Sequence, residues 1–211
     1  MNEHQKSELF KKVEQFVIDS FGPNHISTPH LKKTADWLIK LRPDADEALL
    51  IAAISHDIQR AEGDRPAQTD KEYKDFDVND YLTYHQEKGA AIMEEFLTKE
   101  GASPETVQKV RHLVSRHELG GDDDQNLIKD ADSLSFLENN INPFIRDKIP
   151  EFGFDDVKKK FEWMFDRITS DKAKKLAEPF YKDAMRKLNE IRDSHKQLML
   201  DFGQIDHRKE A

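Results

Sequence analysis

With 211 residues, 36% of them apolar and 36% charged, the chain is long enough for one hydrophobic core under a solvated exterior and too short for two. Asp and Glu outnumber Lys and Arg by 42 to 33, and the formal charge of −9 argues against nucleic acid or a membrane as partner, while a small phosphorylated substrate stays open because a bound divalent cation reverses the field inside one cleft. The absence of cysteine excludes a disulfide framework and thiolate metal ligands, which leaves histidine and carboxylate.

The opening residues MNEHQKSELFKK lack the apolar stretch of a secretory signal, and no apolar run approaches membrane-spanning length, so a cytoplasmic protein is expected. A first helix is predicted over residues 4–21, where Leu9, Val13, Phe16 and Val17 recur at helical spacing before Gly22-Pro23. Ser27 or Thr28 caps a second, with Pro29 and His30 in its opening turn and Leu31, Ala35, Leu38 and Ile39 facing inward. From Asp46 onward the run 48–54 is apolar almost all round, the pattern of a helix buried in the centre of a bundle, and it delivers Ser55-His56-Asp57 at its end. Residues 61–80 form the longest polar, aperiodic stretch, of the kind that serves as a lid or binding loop.

Helical signals resume over 85–99, with Ala90, Met93, Phe96 and Leu97 on one side and Gly101 as the stop. Ser103-Pro104-Glu105 opens the next helix, expected to run through Val107, Val110 and Val114 to His117 and to finish at Gly120-Gly121. Leu127, Ile128, Ala131, Leu134, Phe136 and Leu137 mark another over about 125–140. Two more amphipathic helices are predicted over 154–169 and from 170 to about 193; they are free to cover a cleft or to build a homodimer interface. No segment alternates with period two, so the expected fold class is all-α. The bundle is read as a single domain over residues 1–200, with a motif-bearing core at 25–140, added C-terminal helices at 154–195 and a loose tail at 201–211.

Three placements point to a metal site. His30 sits at a helix start, His56 and Asp57 are adjacent at the end of the least polar helix, and Asp130 and Asp132 lie within an apolar one. Carboxylates buried in such surroundings need a cation to compensate them. Neighbouring helical residues project about 100° apart, so His56 and Asp57 can share an ion only where the helix end meets other elements. Imidazole and carboxylate ligands suit Mn, Fe, Ni, Zn or Mg, and open positions would admit water and a phosphoryl oxygen. The plain alternative is a helical scaffold in which these groups form a satisfied polar core.

The order His…His-Asp…Asp, with PHLKKTADWL at the first histidine, AAISHDI at the pair and LIKDADSLSFLE at the last aspartate, resembles the HD-domain phosphohydrolases over roughly residues 25–140. The resemblance implies an all-helical fold of the HD-domain type, a divalent metal on His30, His56, Asp57 and Asp132, and attack of metal-bound water on a phosphate ester or anhydride. It favours Asp132 over Asp130 because the family's ligand precedes a short spacer and a leucine, here ADSL. Asp130, like Asp57, is then a candidate to orient the nucleophile and take its proton. YHQEKGAAIMEEFL and VRHLVSRHELGG resemble the segments that supply a second metal in the binuclear branch, which adds His85 and His117 and allows one ion or two.

Two departures narrow the activity. Glu118-Leu119-Gly120-Gly121 stands where the cyclic dinucleotide hydrolases of the family carry Gly-Tyr-Pro, and Ile58-Gln59-Arg60 where the alarmone hydrolases carry Glu-Asp. The expected substrate is therefore another small phosphorylated metabolite, with nucleotides first. Arg60 and Arg65 after the pair, with Lys88 and Arg116, are the candidates for gripping its phosphate. A rival from a different class is a metal-binding regulatory or ligand-binding module of the same fold with little turnover. His4, His25, His112, His195 and His207 have no comparable context and are assigned to surface or packing.

Overall fold

A computed structural model describes residues 7–22, 25, 27–62 and 79–207, the side chains of 79, 80 and 195–207 excepted. Every regular element among them is helical: α1 (Glu8–Phe21), α2 (Ser27–Leu41), α3 (Glu47–Ser55), a 3-10 turn (Ile58–Glu62), α4 (Asn79–Lys99), α5 (Pro104–Val114), α6 (Asp123–Asn139), α7 (Ile141–Phe152), α8 (Phe154–Asp166) and α9 (Asp171–His207). Four starts are fixed in the same way: Ser7, Asp46, Ser103 and Asp122 each accept the backbone N–H three residues on, which satisfies a donor the helix itself cannot. None of the described helices is long and apolar enough to cross a membrane.

α3 has no polar stripe to turn towards water, and it is buried all round. Ala48, Leu49, Ile51, Ala52, Ala53, Ile54 and Ser55 are all inside, with α1, α2, α5 and α6 packed about them. The helix consequently ends in the interior, and His56 at its C-cap is 0% exposed. α2 lies along α6 and α4 along α5, while α8 and α9 pack as a pair over α6. These pairings bring the start of α2, the end of α3, the second turn of α4, the turn after α5 and the middle of α6 to one place.

Several placements differ from the sequence expectation, among them α1, which begins at Glu8 rather than 4, and α8, which ends at Asp166 rather than 169; four have a local reason. α4 begins at Asn79 rather than 85, because Tyr81 and Leu82 are 7% and 5% exposed and burial holds the added turn. α5 stops at Val114 rather than His117; the Ser115 hydroxyl donates to His112 O at 3.0 Å, a local bond that competes with the helix ladder. α7 was not expected at all, since Pro143 and Pro150 break its pattern. Pro143 falls in the first turn, where no N–H is needed, and Pro150 in the last, leaving Ile141 and Ile145 to bury one face. The last helix, expected to end at about 193, continues to His207, because nothing between 193 and 202 is Gly or Pro; residues 208–211 lie outside the described residues.

Candidate metal centre

The end of α3 places the first two groups. His56 turns its Nδ1 back onto Ala53 O at 2.9 Å, which aims Nε2 into the interior. Asp57 follows on the 3-10 side and accepts from Arg60 Nε at 2.9 Å. His30 comes from the first turn of α2 and Asp132 from the middle of α6, at 5% exposure each. His30 Nε2 is 3.1 Å from Asp132 Oδ1, and His56 Nε2 is 3.6 Å from the same oxygen and 4.0 Å from Asp57 Oδ2.

A second set closes on the other oxygen of Asp57. His85 Nε2 lies 2.8 Å from Asp57 Oδ1, and His117 Nε2 lies 3.6 Å from it and 4.0 Å from Glu118 Oε1. Ligand atoms of Asp57, His85, His117 and Glu118 all fall within 4.8 Å of one another, as do those of His30, His56 and Asp57. Asp57 therefore belongs to both groups. The turn bearing His117 and Glu118 needs Gly120, whose φ of +74° suits glycine and whose absent Cβ would meet Asn126 Oδ1 at 2.2 Å.

Second partners set the tautomers. The Nδ1 atoms of His56 and His117 face the acceptors Ala53 O and Val114 O at 2.9 and 2.8 Å, which take the Nδ1 proton and aim Nε2 inward, while His85 lies between two acceptors, Gln59 Oε1 at Nδ1 and Asp57 Oδ1 at Nε2, both at 2.8 Å. His30 Nδ1 is 2.9 Å from Ser135 Oγ, whose own proton goes to His30 O. The Nε2 atoms of His56 and His117 are buried with no hydrogen-bond partner. Buried imidazole Nε2 atoms aimed at a shared interior space, with carboxylates between them, are the donor set of a metal site. These His, Asp and Glu groups could hold a metal ion.

Electrostatics agree. Burial opposes charge on every group, yet Arg60 and His56 hold Asp57 well below the usual carboxylate range, and Arg167 and His56 do the same for Asp132. Glu118 is likewise held down to about 2, against burial, mainly by Arg167. Burial lowers His56, but Asp132 and Asp57 outweigh it and lift it to about 9. His85 goes the other way, to about 4, through burial and Arg60. The interior thus keeps its carboxylates ionised and demands a cation at His56.

The DUF4202 family model, described as a domain of unknown function, matches residues 22–188. The chain belongs to the DUF4202 family. No curated protein and no solved structure matches it. Within DUF4202 the matched span takes in all the groups described above, from His30 to Arg167.

Of the expected ligands in this DUF4202 chain, the structure brings together His30, His56, Asp57, Asp132, His85 and His117. Asp130 is placed elsewhere. It sits two positions before Asp132, about 200° around α6, and accepts from Thr169 N, Ser170 N and Ser170 Oγ at 2.7, 2.9 and 2.7 Å. Both of its oxygens thus anchor the start of α9. Arg60 does face the centre, with Nε on Asp57 and a terminal nitrogen 3.4 Å from Glu118 Oε1, its side chain 30% exposed.

Arg116 and Lys88 make other contacts. Arg116 Nε donates to Gly120 O at 3.0 Å and braces the turn, because consecutive side chains diverge and its neighbour His117 takes the inward direction. Lys88, three residues past His85, lies on the flank of α4 with Glu62 at 3.3 Å. Arg65 lies outside the described residues. His25 and His112 are exposed as expected, the latter paired with Asp122 at 2.6 Å. Sequence reasoning missed Glu118 and Arg167. Glu118 had a signal, its adjacency to a candidate histidine, whereas Arg167 had none.

Proposed function

We propose that this protein is a metal-dependent phosphohydrolase of the HD-domain type, acting on a small phosphorylated metabolite with nucleotides as the first class. The observation that carries the reading is the convergence of four Nε2 atoms on the two oxygens of Asp57 and on Asp132. His30, His56, Asp57 and Asp132 would hold one ion; His85, His117 and Glu118, sharing Asp57, would hold a second. A divalent metal, when bound, supplies Lewis acidity and positive charge for phosphoryl transfer to water.

The chain's own groups do the rest. Arg60, part-exposed beside Asp57 and Glu118, offers a guanidinium to the substrate's phosphoryl oxygens and offsets their charge. Asp57, held ionised, accepts a hydrogen bond from the attacking water and orients it. His56 and His117, both 0% exposed, keep water from their side of the centre, which strengthens each charge interaction there.

The test is a metal assay joined to a substrate screen. Purified protein is analysed for bound metal and incubated with Mn or Mg and a panel of nucleotides and sugar phosphates. Metal-dependent phosphate release that disappears in His56→Ala and Asp57→Ala supports the reading. Stoichiometric metal with no release from any substrate replaces it with a metal-binding module, and a protein that takes up no metal removes both.

A further inference from the structure

Arg167 follows α8 and is buried, its side chain 6% exposed. One terminal nitrogen pairs with Glu118 Oε2 and also lies 3.5 Å from Glu118 O; the other pairs with Asp132 Oδ2, and Nε donates to Ser133 Oγ at 2.8 Å. The Trp163 ring backs the guanidinium, its centroid 4.4 Å from Cζ. The substitution of Glu118 or Asp132 would leave part of a buried charge without its complement, so the arrangement is tightly determined.

The two carboxylates serve opposite halves of the candidate centre. Asp132 reaches His30 and His56 through Oδ1, and Glu118 reaches His117 through Oε1. Each gives its remaining oxygen to Arg167. A cation competing for the site would take the oxygens that face the histidines. Arg167 takes the opposite ones, so none of its contacts has to break for an ion to be held.

This inference rests on the metal reading above. We propose that Arg167 is a positioning residue that, through one planar fork, fixes which oxygen of Asp132 and of Glu118 faces the imidazoles in both halves. A lysine keeps the charge but not the planar fork that aims separate nitrogens at Asp132, Glu118 and Ser133. The same turn also has an independent tie to α6, the three bonds that Asp130 accepts from Thr169 and Ser170, and this provides a control for loss of the turn itself.

The experiment measures binding of Mn alone by calorimetry in the full-length protein, with thermal unfolding alongside. Arg167→Lys and Arg167→Met are expected to weaken Mn binding by about ten- to a hundredfold, the usual loss when the group orienting a metal ligand is removed. Asp130→Asn is expected to lower Tm while leaving Mn affinity within about twofold, because its bonds run to Thr169 and Ser170 and not to a histidine or to Arg167. Should Arg167→Met fail to fold, Arg167→Lys decides. Arg167 variants that bind Mn as tightly as the parent, or more tightly, overturn the proposal, the latter by making the guanidinium a competitor. A matching loss in Asp130→Asn also overturns it, since the effect would then come from the turn. Parent protein that takes up no Mn removes the metal reading and this inference together; parent binding with unaffected variants removes the inference alone.

Discussion

His56 Nε2 and Asp132 Oδ1 stand 3.6 Å apart in the interior, too far for a hydrogen bond and close enough to share a cation. Without a metal that cation is a proton: burial alone would pull His56 down, but Asp132 and Asp57 lift it to about 9. A histidine raised above its ordinary 6.5 contributes stability that is complete below 6.5 and lost as pH climbs through 9. Metal-free protein is therefore expected to lose thermal stability across that window. Protein loaded with Mn is expected to hold its Tm, because the ion takes the proton's place. Calorimetric scans at the two ends of the window, with and without Mn, check this, and a metal-free Tm that stays level or rises contradicts it.

Asp57 faces both halves of the centre, with Oδ1 towards His85 and His117 and Oδ2 towards His56. Asp57→Asn replaces one of these acceptors by an NH₂ donor at nearly constant volume, so bound metal should fall on both sides while the helical content stays. His30→Ala, which touches one side only, should spare the ion held by His85, His117 and Glu118. Elemental analysis of the two variants, with circular dichroism to confirm folding, separates the cases. Full metal content in Asp57→Asn would exclude a bridging role.

What could be read from the sequence, and what could not, follows from whether a residue's surroundings are local. α3 was legible because its composition forbids an exposed face, and its end then had to deliver His56 and Asp57 into the interior. His30 and Asp132 were legible as polar groups in apolar settings. Asp130 and Asp132 were harder to tell apart by residue type alone; the structure separates them by their angle on α6, which sends one to the start of α9 and the other to His30. Arg167 was out of reach, since its meeting with Glu118 and Asp132 depends on how α8 docks across the bundle, 49 and 35 positions away in sequence. α7 was hidden by two prolines: Pro143 falls in the first turn, where a helix tolerates it, and Pro150 lies inside the last turn, where it gives up one backbone bond.

Gly120 supports the turn that carries His117 and Glu118. Its φ of +74° strains any other L residue, and an added Cβ would approach Asn126 Oδ1 at 2.2 Å and Lys129 Nζ at 2.8 Å. Gly120→Ala is expected to cost about 1–3 kcal/mol of stability and to weaken metal binding on the His117 side, because the turn must shift to relieve the contact. Urea unfolding and Mn titration of the variant test the two effects. Unchanged stability would mean that the turn relaxes without cost.

Ala53 links the packing of α3 to the orientation of His56. It is 0% exposed, and its carbonyl accepts from His56 Nδ1 at 2.9 Å. A larger side chain here has no free space to enter, so Ala53→Leu should push α3 away from its neighbours at a cost of about 1–3 kcal/mol. The same displacement moves the carbonyl that fixes the imidazole, and a small error in ligand position is costly at a preorganised site. Tm and Mn affinity should therefore fall together in this variant. By contrast, a substitution at Ile191, 42% exposed on α9, should leave both near the parent values. A variant at Ala53 that loses stability but keeps full Mn affinity would show that the imidazole is oriented by its carboxylate neighbours rather than by the helix end.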